Sequence, residues 1–225
     1  MKFHNRWAAT TLFTVALGMS SVANAALVSR LGGQAVYDTD LNVTWATNAN
    51  INGLMNWAAA NTWAANLVLG GVSGWRLPTT TDTGAPGCDW SYNGTDCGYN
   101  STGSEMAHLF YNELGNLAYC DTFGNCPQPG WGLTNVGPFS NLQPDIYWSG
   151  TEYAPNTLVA WYFLFDYGVQ SNVNKSDLRH ALAVRPGDVA AVPIPAAAWL
   201  FGSGLLGLVG VARRRHTLSA VTQVV

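Results

Sequence analysis

Basic charge is scarce in this 225-residue chain, and its distribution matters more than its amount. Lys and Arg total 10 against 13 Asp and Glu, and Lys2, Arg6, Arg213, Arg214 and Arg215 stand near the two ends. Between Ala26 and Asp188 the basic residues are Arg30, Arg76, Lys175, Arg179 and Arg185, against all 13 acidic ones; the resulting net charge of −8 is hidden in the whole-chain value of −3. Such a surface repels phosphate backbones, which excludes nucleic acid as a partner. Cysteine and histidine are sparse as well. Cys88, Cys97, Cys120 and Cys126 are spaced too widely for the usual zinc knuckles, and His108 and His180 are the two histidines of this central stretch. His108 reads as a surface or capping residue of a helix, and His180, beside Arg179, as an edge-strand residue. Neither stands by an evident nucleophile, and no paired carboxylates emerge, so catalysis is not expected. There is no clear internal repeat.

What the chain does have is two apolar ends. Lys2 and Arg6 precede an apolar run from Trp7 to Met19 and then Ser20-Ser21-Val22-Ala23-Asn24-Ala25. This order is that of a signal peptide over residues 1–25, cut by signal peptidase after Ala25; the run is short for an anchor helix and no stop-transfer pattern follows it. Near the other end, Pro193-Ile194-Pro195 leads into 17 uncharged residues, Ala196 to Ala212, and then three arginines. At roughly 1.5 Å per residue that helix is about 25 Å long, the lower end of what crosses a bilayer. The arginines place residues 216–225 in the cytoplasm and everything before the span outside. A buried helix of the domain is the weaker reading, because Gly202, Gly204, Gly207 and Gly210 would each cost about 1 kcal/mol in water.

Pro193-Ile194-Pro195, the helix that begins Ala196-Ala197-Ala198-Trp199-Leu200-Phe201 and the cluster Arg213-Arg214-Arg215 resemble the PEP-CTERM sorting signal of bacterial exopolysaccharide-associated proteins. Ile194 replaces the glutamate usual in that tripeptide. The resemblance implies a sorting segment over residues 191–215, transient anchoring in the membrane, processing by an exosortase, and release to the cell surface or extracellular matrix.

Residues 26–190 then form one domain. In an oxidising compartment its cysteines are expected to pair, and of the three pairings that four allow, the two local ones, Cys88 with Cys97 and Cys120 with Cys126, are favoured. Alternating patterns predict strands over Gln34–Tyr37, Val43–Ala46, Ile146–Tyr153, Leu158–Tyr167 and His180–Val184. Helical spacing predicts one helix from Asn52 to Gly70-Gly71 and a second from the N-cap Ser104 to Gly115. The fold class is α+β, with two helices and an antiparallel sheet.

Three blocks, Gly74-Trp75-Arg76-Leu77-Pro78-Thr79, Tyr147-Trp148-Ser149-Gly150-Thr151 and Ala183-Val184-Arg185, follow a Tyr37–Trp45 hairpin and a Trp57-containing helix. In that order they resemble the Lcl C-terminal-like domains of bacterial surface proteins, similar in fold to C-type lectins and formylglycine-generating enzymes. The cysteine-bearing insertion from Thr80 to Ser104 departs from the pattern and displaces the acidic residue that usually follows the first block to Glu105.

Arg76 and Arg185 read as structural guanidinium groups held by carbonyls or by a carboxylate such as Asp166. Trp75 and Trp148 read as core. Trp90 and Trp131 lie in polar loops, where stacking on a sugar face is the better account of an indole. Asp38, Asp40 and Asn42 have the alternation of calcium-loop ligands but lack the glycine and glutamate that complete one, so an Asx-rich turn is expected there. Asp89, Asp96 and Asp121 flank cysteines without a spacing that demands a metal. No metal ligand is assigned and no cofactor is expected, a divalent cation such as calcium being the one left open. The expected function is that of a noncatalytic surface or matrix protein associated with exopolysaccharide or another surface glycan. A structural or protein-binding module is the alternative. An enzyme of the formylglycine-generating type stands further off, since no cysteine follows Cys126.

Overall fold

A computed structural model describes residues 27–84 and 92–189. The signal peptide, Cys88, Trp90, the sorting tripeptide, the 196–212 span and the arginine cluster lie outside these residues. Among the described residues no helix is long and apolar enough to cross a membrane.

The chain folds into two four-stranded antiparallel sheets with short helices between their strands. The first sheet holds β1 (Leu27–Arg30), β2 (Ala35–Asp38), β3 (Val43–Ala46) and β8 (Val184–Pro186) in the order β1-β2-β3-β8. The β2–β3 turn follows from Asp38, whose Oδ1 accepts the backbone N–H groups of Asp40 (3.1 Å) and Leu41 (2.9 Å). This is an Asx turn, closed by Asn42 in the left-handed region at φ 52°. β8 closes the sheet by returning to β3, with Arg185 opposite Thr44.

The second sheet holds β4 (Gly98–Tyr99), β5 (Ile146–Glu152), β6 (Val159–Leu164) and β7 (Val169–Asn174) in the order β4-β7-β6-β5. Both of its faces are covered, which the alternation along β5 makes plain. Tyr147 joins the main core with Trp45, Phe110, Phe163, Phe165 and Leu182, while its neighbour Trp148 packs on the other side with Ala60, Ala64, Leu77 and Ala160. Successive side chains of a strand point to opposite faces, so one sheet separates two apolar clusters. Ala60 and Ala64 belong to α1 (Trp57–Asn66), and their small side chains let it lie close over β5 and β6.

α1 starts five residues later than its apolar spacing predicts. Met55 is held extended by a two-way backbone bridge with Arg179, and Asn56 is the N-cap, its side chain accepting from Ala59 N at 2.9 Å. The second helix is capped by Ser104, as its sequence predicts, but is a short α2 (Glu105–His108) running into a π turn over Leu109–Glu113. Leu114 N–H donates to the Leu109 carbonyl at 3.0 Å, the i→i+5 bond of that wider turn. The expected strand His180–Val184 is mostly single bridges, Tyr147 with His180 and Arg76 with Val184, and the ladder proper is β8. β1, β4 and β7 had no prediction; β7 buries Gln170 and Ser171, polar residues that carry no strand signal.

Candidate functional site

The three sequence blocks converge. Arg76 and Val184 exchange both backbone hydrogen bonds (2.8 and 2.9 Å), Gly150 N donates to the Pro78 carbonyl (2.8 Å), and the buried Ser149 Oγ donates to that same carbonyl (2.9 Å). Trp75 is 3% exposed and Trp148 0%, their indole N–H groups donating to the carbonyls of Val72 and Met55. Tyr147 is fully buried, its phenol pushed up to about 12 by burial and accepting from Gln143 N. Leu77 is core. Arg76 is structural, but its partner is Glu105, not Asp166: Nη1 and Nη2 each donate to one carboxylate oxygen at 2.7 Å. The pair joins residues 29 positions apart, and Thr79 N also donates to Glu105 at 2.6 Å. Arg185 on β8 has a buried Nε with no hydrogen-bond partner. Of these blocks, Thr79 lines a pocket of about 300 Å³ with Glu105 and His108.

A larger cleft lies in a different region. Cys120 and Cys126 are joined, their Cα atoms 4.4 Å apart, and Cys97 is disulfide-bonded, its expected partner lying outside the described residues. Around the Cys120–Cys126 loop runs a chain of five rings. Tyr92 stacks on Tyr99 (6.1 Å, 11°), Tyr99 meets Tyr119 (6.4 Å), and Tyr119, Trp131 and Tyr167 pack mutually at 4.9 to 5.2 Å. Tyr92 is 41% exposed and Tyr167 37%, the others half-buried. Gly124 makes the close approach: at φ 85° its missing Cβ would lie 3.0 Å from the Tyr92 ring. Burial, then the neighbouring Tyr119, Tyr167 and Tyr92, raises the Tyr99 phenol, so it stays a neutral donor.

Beside the rings lies a cleft of about 450 Å³ lined by amides and hydroxyls, among them Asn93, Asn100, Thr102, Asn112 and Asn116. Asn100 ties the two together, its Nδ2 donating to the carbonyls of Tyr92 and Cys120. Ser101 Oγ is buried on its wall with no hydrogen-bond partner. Among the described residues, no Asp, Glu, Lys or Arg lines this cleft. Trp131 is half-buried against Tyr119 and Tyr167, and the four tyrosines lack a sequence prediction; Tyr92, Tyr99 and Tyr119 stand close to cysteines in sequence, a signal that points to them.

Three further groups meet at the end of the π turn. His108 Nε2 lies 3.2 Å from Glu113 Oε1, and ligand atoms of Asp38, His108 and Glu113 all fall within 4.8 Å of one another. Burial, then Asp38, raises the Glu113 carboxyl against the opposing His108. His108 is therefore neither a cap nor an isolated surface group. His180 bridges to Tyr147 along the outer side of β5, the edge strand of its sheet, yet is 9% exposed, stacks on Tyr147 at 5.1 Å, and burial lowers its imidazole against the pull of Asp145. Asp89 lies outside the described residues, and Asp96 and Asp121 are occupied by hydrogen bonds of the surrounding loops. Asp121 accepts from Phe123 N, Asn125 N and Asn125 Nδ2, and Asp96 from Thr83.

No family model and no curated protein matches this chain.

Proposed function

We propose that the chain is an exported, noncatalytic surface or matrix protein whose C-type-lectin-like domain binds neutral sugars of an exopolysaccharide, delivered through the exosortase route that its tail resembles. The observation that carries the binding reading is the ring chain from Tyr92 to Trp131 and Tyr167 together with a nearby cleft, joined to it through Asn100, whose described lining is amides, hydroxyls, His108, Tyr111 and Leu117. An aromatic face stacks on the C–H face of a sugar ring, and asparagine side chains both donate to and accept from hydroxyls. The domain charge of −8 disfavours an anionic polymer at long range, so neutral sugar, or anionic sugar bridged by a divalent cation, is the ligand class.

Titration of neutral and acidic glycans, with and without calcium, tests this. Neutral glycans should bind, and Trp131→Ala, which removes the ring meeting both Tyr119 and Tyr167, should weaken them about tenfold. Tight calcium-independent binding to acidic glycans, or full affinity with both Trp131 and Tyr167 removed, overturns the reading.

A further inference from the structure

We propose that Asp38, His108 and Glu113 hold a divalent first-row transition ion of the zinc class. The ligands come from two distant parts of the chain, the end of β2 and the helical segment that runs from His108 at the end of α2 through the π turn to Glu113. In an α-helix, residues five apart diverge by about 140° around the axis, so His108 and Glu113 would face apart. The wider π turn over Leu109–Glu113 turns them toward each other, at 3.2 Å between Nε2 and Oε1. That separation is close to the edge of a tetrahedron whose metal–ligand bonds are about 2.0–2.2 Å.

A second observation points to a ligand. Glu113 has a side chain 0% exposed, and its Oε2 has no hydrogen-bond partner. Asp38, also 0% exposed, contributes a second buried carboxylate to the same cluster. Two buried carboxylates with one bare oxygen are costly unless a cation joins them or one of them takes up a proton, and a bound cation is the arrangement that also uses the bare Oε2.

The surroundings resemble the supporting shell of a metal site. Asp38 Oδ1 is fixed by Asp40 N and Leu41 N, while Oδ2 takes one long bond from Trp45 Nε1 (3.3 Å) and keeps a lone pair. His108, 20% exposed in its side chain, gives a route in from solvent and lines a pocket of about 300 Å³. One imidazole nitrogen with two carboxylates favours zinc, cobalt or manganese over calcium, which takes six or more oxygens. Three protein ligands leave a fourth position for water or a ligand oxygen.

The test uses the full chain, stripped with a chelator, and zinc, cobalt, manganese and calcium salts as probes. Calorimetry should show one zinc per chain, and saturation should raise Tm. His108→Gln and Glu113→Gln should each weaken zinc at least about 30-fold, as loss of a ligand should exceed the 10–100-fold range of supporting residues at its lower end. If a variant does not fold, the wild-type cobalt complex decides: paramagnetic shifts should fall on the His108 imidazole and spare His4, His180 and His216. Absence of zinc binding, calcium binding tighter than zinc, shifts on the other histidines, or unchanged affinity in both variants overturns the proposal.

Discussion

Glu105 and Glu113 lie eight residues apart on one continuous helical segment, both largely buried, and they are treated in opposite ways. Glu105, 13% exposed in its side chain, has both oxygens engaged by Arg76 at 2.7 Å and a third donor in Thr79 N. Glu113, 0% exposed, has one histidine contact and one bare oxygen. The first is a closed structural lock joining α2 to the Arg76 block. The second retains the capacity to bind something. Burial alone does not tell a structural carboxylate from a ligand; the count of satisfied lone pairs does.

The sharpest way to break this contrast is to remove the lock. Glu105→Ala leaves the Arg76 guanidinium, 33% exposed, and Thr79 N without their acceptor, and should cost about 3 kcal/mol, a fall in Tm on the order of 10 °C, by thermal unfolding. A loss below about 1 kcal/mol would show that Glu105 is not a lock.

Asp82 extends the comparison to a more exposed acid. It accepts from Ala154 N (2.6 Å), Trp161 Nε1 (3.0 Å) and Gly84 N (2.8 Å), tying the insertion to β6. Burial pulls its pKa up, but these three bonds outweigh it and hold the carboxyl below its ordinary 3.8. A depressed folded pKa stabilises the fold above the unfolded value, and that stability is lost as pH falls through the folded one. Asp82→Asn should therefore destabilise by about 1 kcal/mol at pH 7, discounted for exposure, and the deficit should narrow below about pH 4. A deficit that stays constant down to pH 2 counts against the ionised bond.

The smallest effect is expected at Glu113 itself. In metal-free protein, Glu113→Gln replaces a desolvated carboxyl group by a neutral amide of the same shape and should be neutral or stabilising, by up to about 1 kcal/mol in denaturant unfolding. Glu105→Ala and Glu113→Gln should thus move stability in different directions; a loss at Glu113 matching that at Glu105 would erase the distinction.

Much of the fold can be read along the chain because its signals are local. Ser104 announces a helix start through its own hydroxyl, and the Tyr147-Trp148 alternation announces a strand with two buried faces. Trp131 was singled out because an indole in a polar loop has no local reason to be there. β7 was not legible, since Gln170 and Ser171 are buried by the strands around them and not by their own apolarity. The start of α1 was misread for the same reason: Met55 is held straight by Arg179, more than a hundred positions away.

By itself, then, the amino-acid order determined the α+β class, the Asx turn at Asp38, the cap at Ser104, the core role of Trp75 and Trp148, and the negative domain. Each depends on a residue's own chemistry or on neighbours within a turn. Only the tertiary structure decided that Glu105 returns to Arg76, that five rings meet around the Cys120–Cys126 loop, and that a widened helical turn brings His108 and Glu113 to Asp38. Those pairings join segments up to seventy-five positions apart, and their partners are set by how the sheets and loops pack, which no spacing along the chain encodes.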